Sequence, residues 1–465
     1  MASRQGGTLS GFTPLSTPNA PTGLSVAVGI GSAEVSFSAP SDTGDAAVTS
    51  FIVTAIDEST DQSIGETGGA SPISFALSSG TFKFRAQAVN GFGPGRLTEF
   101  EEGVVVPYSG AALYAWGRNS EGQLGVGGTA NRSSPTQVGA TINWAQVSAG
   151  EAESSHTAAI RFDGTLWTWG SGADGKLGHD NVSNSLTPLQ VGALTHWAQV
   201  SAGYNHTAAV TTNGELYTWG DNSPQGALGD NTVINKSSPV QIGTLTNWAQ
   251  VSAGASFCSA VKTDGTLWSW GQNSEGRLGD NTTISRSSPV QIGALTTWAQ
   301  VSAGLAHGVA ITTDNKLYTW GEGANGRLGH NNVLDKDQPD QVGALTNWAQ
   351  ASAGLTHTNA VKTDGTLWGW GDNSIGAIGD NTSITRSSPV QVGLDTNWAQ
   401  AAGGKDFSAA IKTDGTLWTW GQDADGKLGS NDDIRRSSPV QIGASTDWFS
   451  VTAGNDHTLA IEGVV

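Results

Sequence analysis

The chain of 465 residues carries 22 basic and 40 acidic side chains, and its formal net charge of −18 repels nucleic-acid phosphates and anionic membrane surfaces. Its 64 Gly and 18 Trp residues, with 13% charged residues, favour many short strands and tight turns over a helix bundle. A single cysteine, Cys258, excludes an intrachain disulfide, and no apolar run reaches the roughly 18 residues that span a bilayer. We therefore expect an acidic, β-rich protein that binds no nucleic acid and inserts into no membrane.

Residues 1–17 form a Gly-, Ser- and Thr-rich segment with one aromatic residue, Phe12. This segment lacks the roughly 7–15-residue apolar stretch of a secretory signal, so we expect no export through a standard signal peptide. Chain termini of this composition are commonly free, and we interpret the segment as an N-terminal arm. The alternative is an attachment arm that becomes ordered on a partner through Phe12.

Residues 18–107 show the alternating apolar and polar residues of short strands, with turn residues between them at the spacing of a β-sandwich. The ending A-x-N-x-x-G, which begins at Ala88, resembles the sixth strand of fibronectin type III domains. Phe37 and Phe82 stand where that family has a core Trp and a corner Tyr. The resemblance implies an N-terminal immunoglobulin-like β-sandwich, which a short linker at 108–110 joins to the rest of the chain.

Residues 111–465 contain two tryptophan markers that each recur seven times with a period of about fifty residues. The first marker is the pair Trp-Gly, which occurs at Trp116, Trp169, Trp219, Trp270, Trp320, Trp370 and Trp420. The second is a Trp that opens the triplet Trp-Ala-Gln in all copies but the last, at Trp144, Trp197, Trp248, Trp298, Trp348, Trp398 and Trp448. Two independent markers with one period indicate a repeat architecture.

One repeat, read from Trp248, contains signals for four short strands. Small residues at 252–254 end the first strand, as crowding near a propeller axis requires. The pair Asp264-Gly265 then separates two β-prone apolar runs, and Asp-Gly favours the tight turn of a hairpin. A polar loop and a last strand at 289–293 complete the unit, which we interpret as one propeller blade.

The two ends of the repeat region carry complementary fragments of a blade. The region opens with a third strand at 113–117 and finishes with first and second strands at 448–453 and 457–461. We expect these fragments to pair, two strands from each end, which closes the ring and removes exposed sheet edges. The patterns V-S-A-G-x-x-H, D-G-x-L-W-x-W-G and G-x-L-G over residues 111–462 resemble the repeats of the regulator of chromosome condensation family. This resemblance implies an all-β fold with a seven-bladed β-propeller and split-blade closure.

One position of the repeat, shortly after the Gly that ends the first strand, carries a histidine in five blades and Phe257 or Phe407 in the other two. The histidines are His156, His206, His307, His357 and His457. Because Phe cannot bind a metal, we expect packing residues that bond to backbone between blades rather than metal ligands. The run from Asp423 to Gly426 lacks the distal Glu of a calcium loop, and no nucleophile elbow, zinc-protease or phosphate-loop motif is present. We predict no metal, no cofactor and no catalytic centre.

The loop that follows the first strand differs between blades, whereas the strands are nearly copied. Equivalent loops of a propeller lie on one face, and a variable face on a uniform scaffold is a common place for recognition. The alternative is sequence drift without constraint. The candidate binding residues are Glu151, Glu153, Tyr204, Asn205, Leu305, Leu355, Lys405, Asp406, Asn455 and Asp456.

These features predict a non-enzymatic structural or binding protein. A sandwich module joined to a propeller, without signal or catalytic motif, favours a bacteriophage virion component that is assembled in the host cytoplasm, either a capsid decoration or a tail receptor-binding protein. Its expected partners are proteins or cell-surface glycans, with capsid or tail proteins at the N-terminal region. The alternative is a bacterial adhesin or a protein-inhibitor module at the cell surface. Nucleotide exchange on a GTPase is disfavoured, because the basic tail expected of a chromatin-binding relative is absent.

Overall fold

A computed structural model describes residues 16–29, 32–58, 63–77, 80–98, 104–106 and 110–464. The candidate attachment residue Phe12 and most of the linker at 108–110 lie outside these residues. The chain divides into two compact units, the first reaching Gly110 and the second covering Ala111–Glu462. No helix in the described ranges is long and apolar enough to cross a membrane.

The first unit contains two antiparallel sheets in its described residues. One sheet has the strand order β1-β2-β5, and the other has the order β4-β3-β6-β7, with β8 also paired to β6. The strands are β1 (Thr22–Gly29), β2 (Ser32–Ser38), β3 (Val48–Asp57), β4 (Ser63–Gly68), β5 (Ile73–Ala76), β6 (Gly80–Asn90), β7 (Gly93–Leu97) and β8 (Val104–Val106).

The two sheets of the first unit share one apolar core. Alternate residues of β2 and β5 from one sheet, and of β3 and β6 from the other, are buried in a single cluster. Phe37 packs on Phe51 with ring centroids 4.9 Å apart, so its ring lies within this core. Phe82 is also buried, which places its ring in the core without a hydroxyl to satisfy.

The second unit, within residues 110–464, contains seven four-stranded antiparallel sheets. Six of them are built from four consecutive strands, as the repeat predicts. The strands are β9 (Gly110–Gly117), β10 (Arg132–Gln137), β11 (Trp144–Ala149), β12 (His156–Arg161), β13 (Leu166–Gly170), β14 (Ser185–Gln190), β15 (Trp197–Ala202), β16 (His206–Thr211), β17 (Leu216–Gly220), β18 (Lys236–Gln241), β19 (Trp248–Ala253), β20 (Phe257–Lys262), β21 (Leu267–Gly271), β22 (Arg286–Gln291), β23 (Trp298–Ala303), β24 (His307–Thr312), β25 (Leu317–Gly321), β26 (Lys336–Gln341), β27 (Trp348–Ala353), β28 (His357–Lys362), β29 (Leu367–Gly371), β30 (Arg386–Gln391), β31 (Trp398–Gly403), β32 (Phe407–Lys412), β33 (Leu417–Gly421), β34 (Arg436–Gln441), β35 (Trp448–Ala453) and β36 (His457–Val464). Short 3₁₀ turns lie at Ala173–Gly175, Ala324–Gly326 and Ala424–Gly426.

The first strands of neighbouring blades contact one another and form the inner wall of the ring. The repeated Gln and Ser of Trp-Ala-Gln-x-Ser-Ala make these contacts specific. The amide group of Gln250 donates to the carbonyl of Val301 and accepts from its backbone N–H, at 3.2 and 3.0 Å. Ser252 accepts from the N–H of Ala303 at 2.9 Å. The side chains of this motif therefore satisfy backbone groups that would otherwise be orphaned at the inner sheet edge.

The seventh sheet joins the two ends of the repeat region, as the sequence predicts. Its strand order is β10-β9-β36-β35, so each end supplies two strands. The inner strand β35 contacts both β31 and β11, which lie in the blades on either side. Thr452 accepts from the N–H of Ala149 across the closing interface at 3.3 Å. The ring is thus closed by hydrogen bonding within one sheet.

The tryptophan of each Trp-Gly pair is completely buried between blades. Trp320 donates from Nε1 to the carbonyl of Arg277 in the preceding blade at 2.9 Å. The indole ring lies against Gly279, where an added Cβ would come within 3.0 Å of the ring. The Trp-Gly and G-x-L-G motifs are therefore two halves of one contact between adjacent blades.

Replacing Trp320 by Phe is expected to destabilise the protein more than the same change at Trp370, by about 1 kcal/mol. Both indoles are fully buried, but Trp370 Nε1 has no partner, and the carbonyl of Arg327 accepts instead from Thr358 at 2.9 Å. The change at Trp320 orphans a buried carbonyl, whereas the change at Trp370 does not. Calorimetric unfolding of the two variants measures the difference, and equal losses would contradict this account.

Candidate functional site

The loops after the first strand and the loops after the third strand lie at the same end of each blade. In one blade, Phe257 at the start of β20 pairs with Gly271 at the end of β21, which brings the two loops together. We call this end of the ring the loop face, and the end with the Asp-Gly turns the opposite face. The candidate binding residues predicted from sequence all lie on the loop face.

Seven glycines surround the axis at the loop face, one from each blade. If any of these glycines carried a Cβ, that atom would lie within 3.2 Å of the carbonyl oxygen of the corresponding glycine in the next blade. The N–H of Tyr204 donates to the Gly254 carbonyl at 3.1 Å, and the N–H of Leu355 donates to Gly404 at the same distance. The glycines are Gly150, Gly203, Gly254, Gly304, Gly354, Gly404 and Gly454. The small side chains predicted at the axis are therefore required by backbone packing between blades.

Three of the candidate binding residues are buried at the axis rather than presented to solvent. Glu151, Leu355 and Asn455 are 7, 6 and 2% exposed, so they fill the end of the ring and cannot contact a partner in this conformation. Glu153 extends into solvent, with 70% of its side chain exposed, and lies 4.0 Å from Lys405. The remaining candidates are half-buried: Tyr204, Asn205, Leu305, Lys405, Asp406 and Asp456.

Cations from the preceding repeat hold several of these loops in place. Lys176 is fully buried and donates to the Ser154 carbonyl at 2.7 Å and to Asn205 Oδ1 at 3.0 Å. Lys427 donates to Asp456 Oδ1 at 2.8 Å in the same way. Burial lowers the pKa of Lys176 to about 8. Asn205 and Asp456 therefore support the loops, a role that the variation between loops did not reveal.

Glu151 has an unusual environment for a carboxyl group. Its Oε2 atom has no hydrogen-bond partner, and burial raises its pKa to about 8. At neutral pH the group is therefore largely protonated and carries little charge. Glu151 therefore fills space near the axis as a neutral side chain and offers no acidic contact on the surface.

The five repeat histidines are buried and bridge adjacent blades, as expected, and the partners of their Nε2 atoms include side-chain groups, which the sequence did not predict. In each case Nε2 lies 2.7–3.2 Å from a hydroxyl or thiol of the next blade. These pairs are His156–Thr207, His206–Cys258, His307–Thr358, His357–Ser408 and His457–Thr157. Among the described residues, no group of three or more His, Cys, Asp or Glu is placed to hold a metal ion.

The protonation state of these histidines follows from the hydrogen-bond network. Ser408 donates to the Ala377 carbonyl at 2.8 Å, so its oxygen accepts from His357 Nε2–H. The Nδ1 atom of His357 is buried without a partner, so a proton added there has no acceptor. Burial accordingly lowers the pKa of His206, His357 and His457 to about 4.

We expect His357→Phe to weaken the acid sensitivity of folding. A histidine with a pKa near 6.5 when unfolded and about 4 when folded binds protons preferentially in the unfolded chain between these values, so it lowers stability as the pH falls through this window. Loss of one such group reduces the slope of the free energy of unfolding against pH by up to about 1.4 kcal/mol per pH unit. Free energies of unfolding at several pH values between 4 and 7 measure this slope. Phe407→His adds a histidine at the same position of another blade and should make the slope steeper.

A feature that the sequence analysis missed lies at the perimeter of the loop face. The loop after the third strand exposes an aliphatic residue at the same position in five consecutive blades, with 53–66% of the residue exposed. The flanking positions vary between polar, charged and apolar types, but this position stays aliphatic. We call these residues the apolar arc: Ile234, Ile284, Leu334, Ile384 and Ile434. The signal was present in the repeat, but only the structure shows that these side chains are exposed.

Comparison with known protein families assigns most of the chain. The family described as RCC1-like domain matches residues 195–464, and the regulator of chromosome condensation (RCC1) repeat matches 111–160 and 163–210. The ultraviolet-B receptor UVR8 of Arabidopsis thaliana is 34% identical over 171 residues, which are 36% of this chain and 39% of the receptor. The human X-linked retinitis pigmentosa GTPase regulator is 37% identical over 87 residues, 19% of this chain and 8% of that protein.

Solved structures with the same fold cover most of the second unit. Human WBSCR16 superposes with a TM-score of 0.68 at 20% identity, over 76% of this chain and 99% of that one. Yeast RCC1 (Prp20), in its complex with Kap60, gives the same TM-score and identity over 77% of this chain and 89% of that one. The chain spans less than two fifths of the length of the two curated relatives above. These similarities establish the fold and leave activity to be argued from this chain's own surface.

Proposed function

This chain belongs to the RCC1-like domain family, and on that premise we propose that it is a non-enzymatic binding protein that recognises a protein partner through the perimeter of its loop face. The apolar arc carries this proposal. An exposed Ile or Leu contributes little to folding, and its repetition on five neighbouring blades lines the perimeter of the loop face with apolar side chains. Interfaces between proteins bury such surface.

Relatives with this fold support a protein as the partner. The structure of yeast RCC1 contains bound Kap60, and Prp20p was crystallised in work that also describes its binding to Gsp1p and histones. The identity of 20–21% with these chains gives no basis for transferring a particular partner. The net charge of −18 favours a partner with a basic surface.

We propose that the first unit is a fibronectin type III-like module that attaches the propeller to a larger assembly. Its two sheets, with the orders β1-β2-β5 and β4-β3-β6-β7, enclose one core. The Asn of A-x-N-x-x-G, Asn90, is buried, accepts from the N–H of Phe92 at 2.9 Å and donates to the Thr43 carbonyl at 2.9 Å. This asparagine therefore fixes the turn after β6, as a recurring motif at that place requires.

The biological setting that we propose is a bacteriophage particle, as a capsid decoration or a tail protein, with the bacterial cell surface as the alternative. The basis is the combination of an attachment module with a binding propeller. Immunogold electron microscopy with antibody against the purified protein, applied to filtered lysate of the source culture, tests it. Gold on particles is the expected result. Gold on cells, or antigen free in solution beside unlabelled particles, would contradict the particle setting and favour the alternative.

The loop-face proposal has a separate test. A photo-crosslinking amino acid at position 284 should capture a protein partner from purified particles or cell envelopes, whereas the same amino acid at position 295 should not. Ile284 and Leu295 are 62 and 45% exposed, and Leu295 lies in a loop of the opposite face. The double variant Ile284→Ser, Leu334→Ser should lose the complex without a change in thermal stability. Equal crosslinking from both positions would refute the assignment of the loop face.

A further inference from the structure

A cleft of about 590 Å³ lies between two neighbouring blades of the second unit. One wall consists of the outer strand β18 with the loop before it, and the other consists of Trp248, Lys262 and Trp268 of the next blade. We call this space the Lys262 cleft. Its polar lining also includes Asp230, Asn231, Lys236, Gln241 and Ser288. Ile234 of the apolar arc belongs to the loop in this wall but does not line the cleft, and the cleft has no part in the function proposed above.

Lys262 places a cation between the two aromatic rings of this cleft. Its Nζ lies 3.7 Å from the ring centroid of Trp268 and 4.6 Å from that of Trp248. The residue is 5% exposed, and burial lowers the pKa of its ammonium group, an effect that Asp264 partly opposes through its charge. Among the described residues, no carboxylate lies within 4.0 Å of this ammonium group, so the rings are its main partners.

Another blade of the same chain shows what a carboxylate does at the equivalent place. Lys412 lies over Trp418 and Trp398, at 4.1 and 4.7 Å, in the same arrangement. There, Asp395 accepts a hydrogen bond from Lys412 Nζ at 2.8 Å. The residue at the position of Asp395 in the Lys262 cleft is Leu245. The cleft thus presents the same cation and ring pair without the internal carboxylate.

On the opposite wall of the cleft, the cation lies farther from its carboxylate than in the next blade. Lys236 Nζ lies 3.6 Å from Asp230, whereas Arg286 in the next blade binds Asp280 through two nitrogens, at 2.9 and 2.8 Å. A third lysine, Lys362, lies over Trp368 and Trp348 at 3.7 and 4.9 Å, and in the blade before it Asp340 occupies the position of Val240. The Lys262 cleft therefore contains two lysines and one carboxylate, Asp230, which is paired with Lys236 and not with Lys262.

We propose that the Lys262 cleft binds an acidic sugar, a sialic or uronic acid unit within an otherwise neutral glycan. The sugar carboxylate takes the place that Asp395 occupies beside Lys412 and binds Lys262 as a charge-assisted hydrogen bond. The half-buried Trp268 provides an apolar wall for the ring, while Asn231, Gln241 and Ser288 offer hydrogen bonds to hydroxyl groups. A single charge fits better than a polyanion, because the net charge of −18 repels polyanions.

Isothermal titration calorimetry of the full chain with two matched pairs of sugars tests this proposal. Sialyllactose is compared with lactose, and cellobiouronic acid with cellobiose. We expect at least one acid to bind with a Kd of about 1 mM or tighter, at least about tenfold tighter than its neutral match. Equal binding of acid and neutral sugar, or no binding of either acid, would overturn the proposal. Preferential binding of an N-acetylated glutamate peptide would overturn it in favour of a peptide ligand.

A matched pair of surface variants locates the site. Leu245→Asp should supply the cleft with its own carboxylate, as Asp395 does for Lys412, and weaken binding of the acidic sugar at least about tenfold. Leu295→Asp introduces the same charge at the equivalent position of the next blade, where Thr312 and Tyr318 replace Lys262 and Trp268, and should change binding less than about twofold. Both leucines are exposed, at 49 and 45%, so neither change should affect folding. Binding unaffected by Leu245→Asp, or weakened equally by both variants, would place the sugar elsewhere.

Discussion

Truncation of the chain after Asp447 is expected to abolish cooperative folding of the propeller, although six of its seven sheets keep all their strands. The truncation removes β35 and β36 and leaves β9 and β10 as an unsupported pair with an open edge. It also removes Trp448, Val451, Leu459 and Ile461, which are 0–5% exposed. Loss of a large buried side chain costs about 2–5 kcal/mol, so four together rival the about 5–15 kcal/mol of a whole domain.

A circular permutant separates the loss of these strands from the position of the chain ends. In the blade of β19–β22, the turn 263–265 joins Lys262 at the end of the second strand to Thr266 before the third. The equivalent residues of the seventh blade are Glu462 and Ala112, which no turn connects. A chain of residues 141–462, joined through Thr-Asp-Gly to residues 112–140, retains every blade with continuous connections. We expect it to unfold cooperatively near the midpoint of the parent, whereas the truncated chain aggregates. Scanning calorimetry and size-exclusion chromatography measure both, and a cooperative transition in the truncated chain would contradict split-blade closure.

Most of the propeller was predictable because each repeat carries its own signals at short range. The Asp264-Gly265 turn and the apolar runs beside it define a hairpin within one blade, and the structure has β20 and β21 on either side of that turn. Closure was also predictable, because the strands missing at one end are present at the other. These features need no knowledge of how blades contact one another.

The candidate site was less predictable, because it depends on contacts between blades. Variation in the loop after the first strand suggested exposure, yet Leu355 and Asn455 pack at the axis. The side chain of Lys176, which supports one of these loops, comes from the preceding repeat, so no pattern within a blade reveals it. The same applies to Leu245 and Asp395. The sequence shows that they differ, but only the structure shows that each lies near a lysine, Lys262 or Lys412.

Replacing Gly304 by Ala is expected to destabilise the propeller by about 3 kcal/mol, a large effect for one methyl group. An added Cβ would lie 2.3 Å from the Gly354 carbonyl oxygen, 2.9 Å from the ring of His307 and 3.1 Å from the Cβ of Ala353. The first of these atoms belongs to the backbone of the next blade. Relief of this contact requires the two blades to separate at the axis, where the inner strands are already hydrogen-bonded to one another.

The matched control is Gly128→Ala, at a glycine in the same unit whose added Cβ meets no atom within 4 Å. Its backbone does not have the positive φ that disfavours alanine, so we expect a change within about 0.5 kcal/mol, or a slight gain from a less flexible unfolded chain. Unfolding midpoints of the two variants, measured side by side, test the difference. A loss at Gly304 no greater than that at Gly128 would show that the blades can move apart at the axis, and that the seven glycines there are not required by packing.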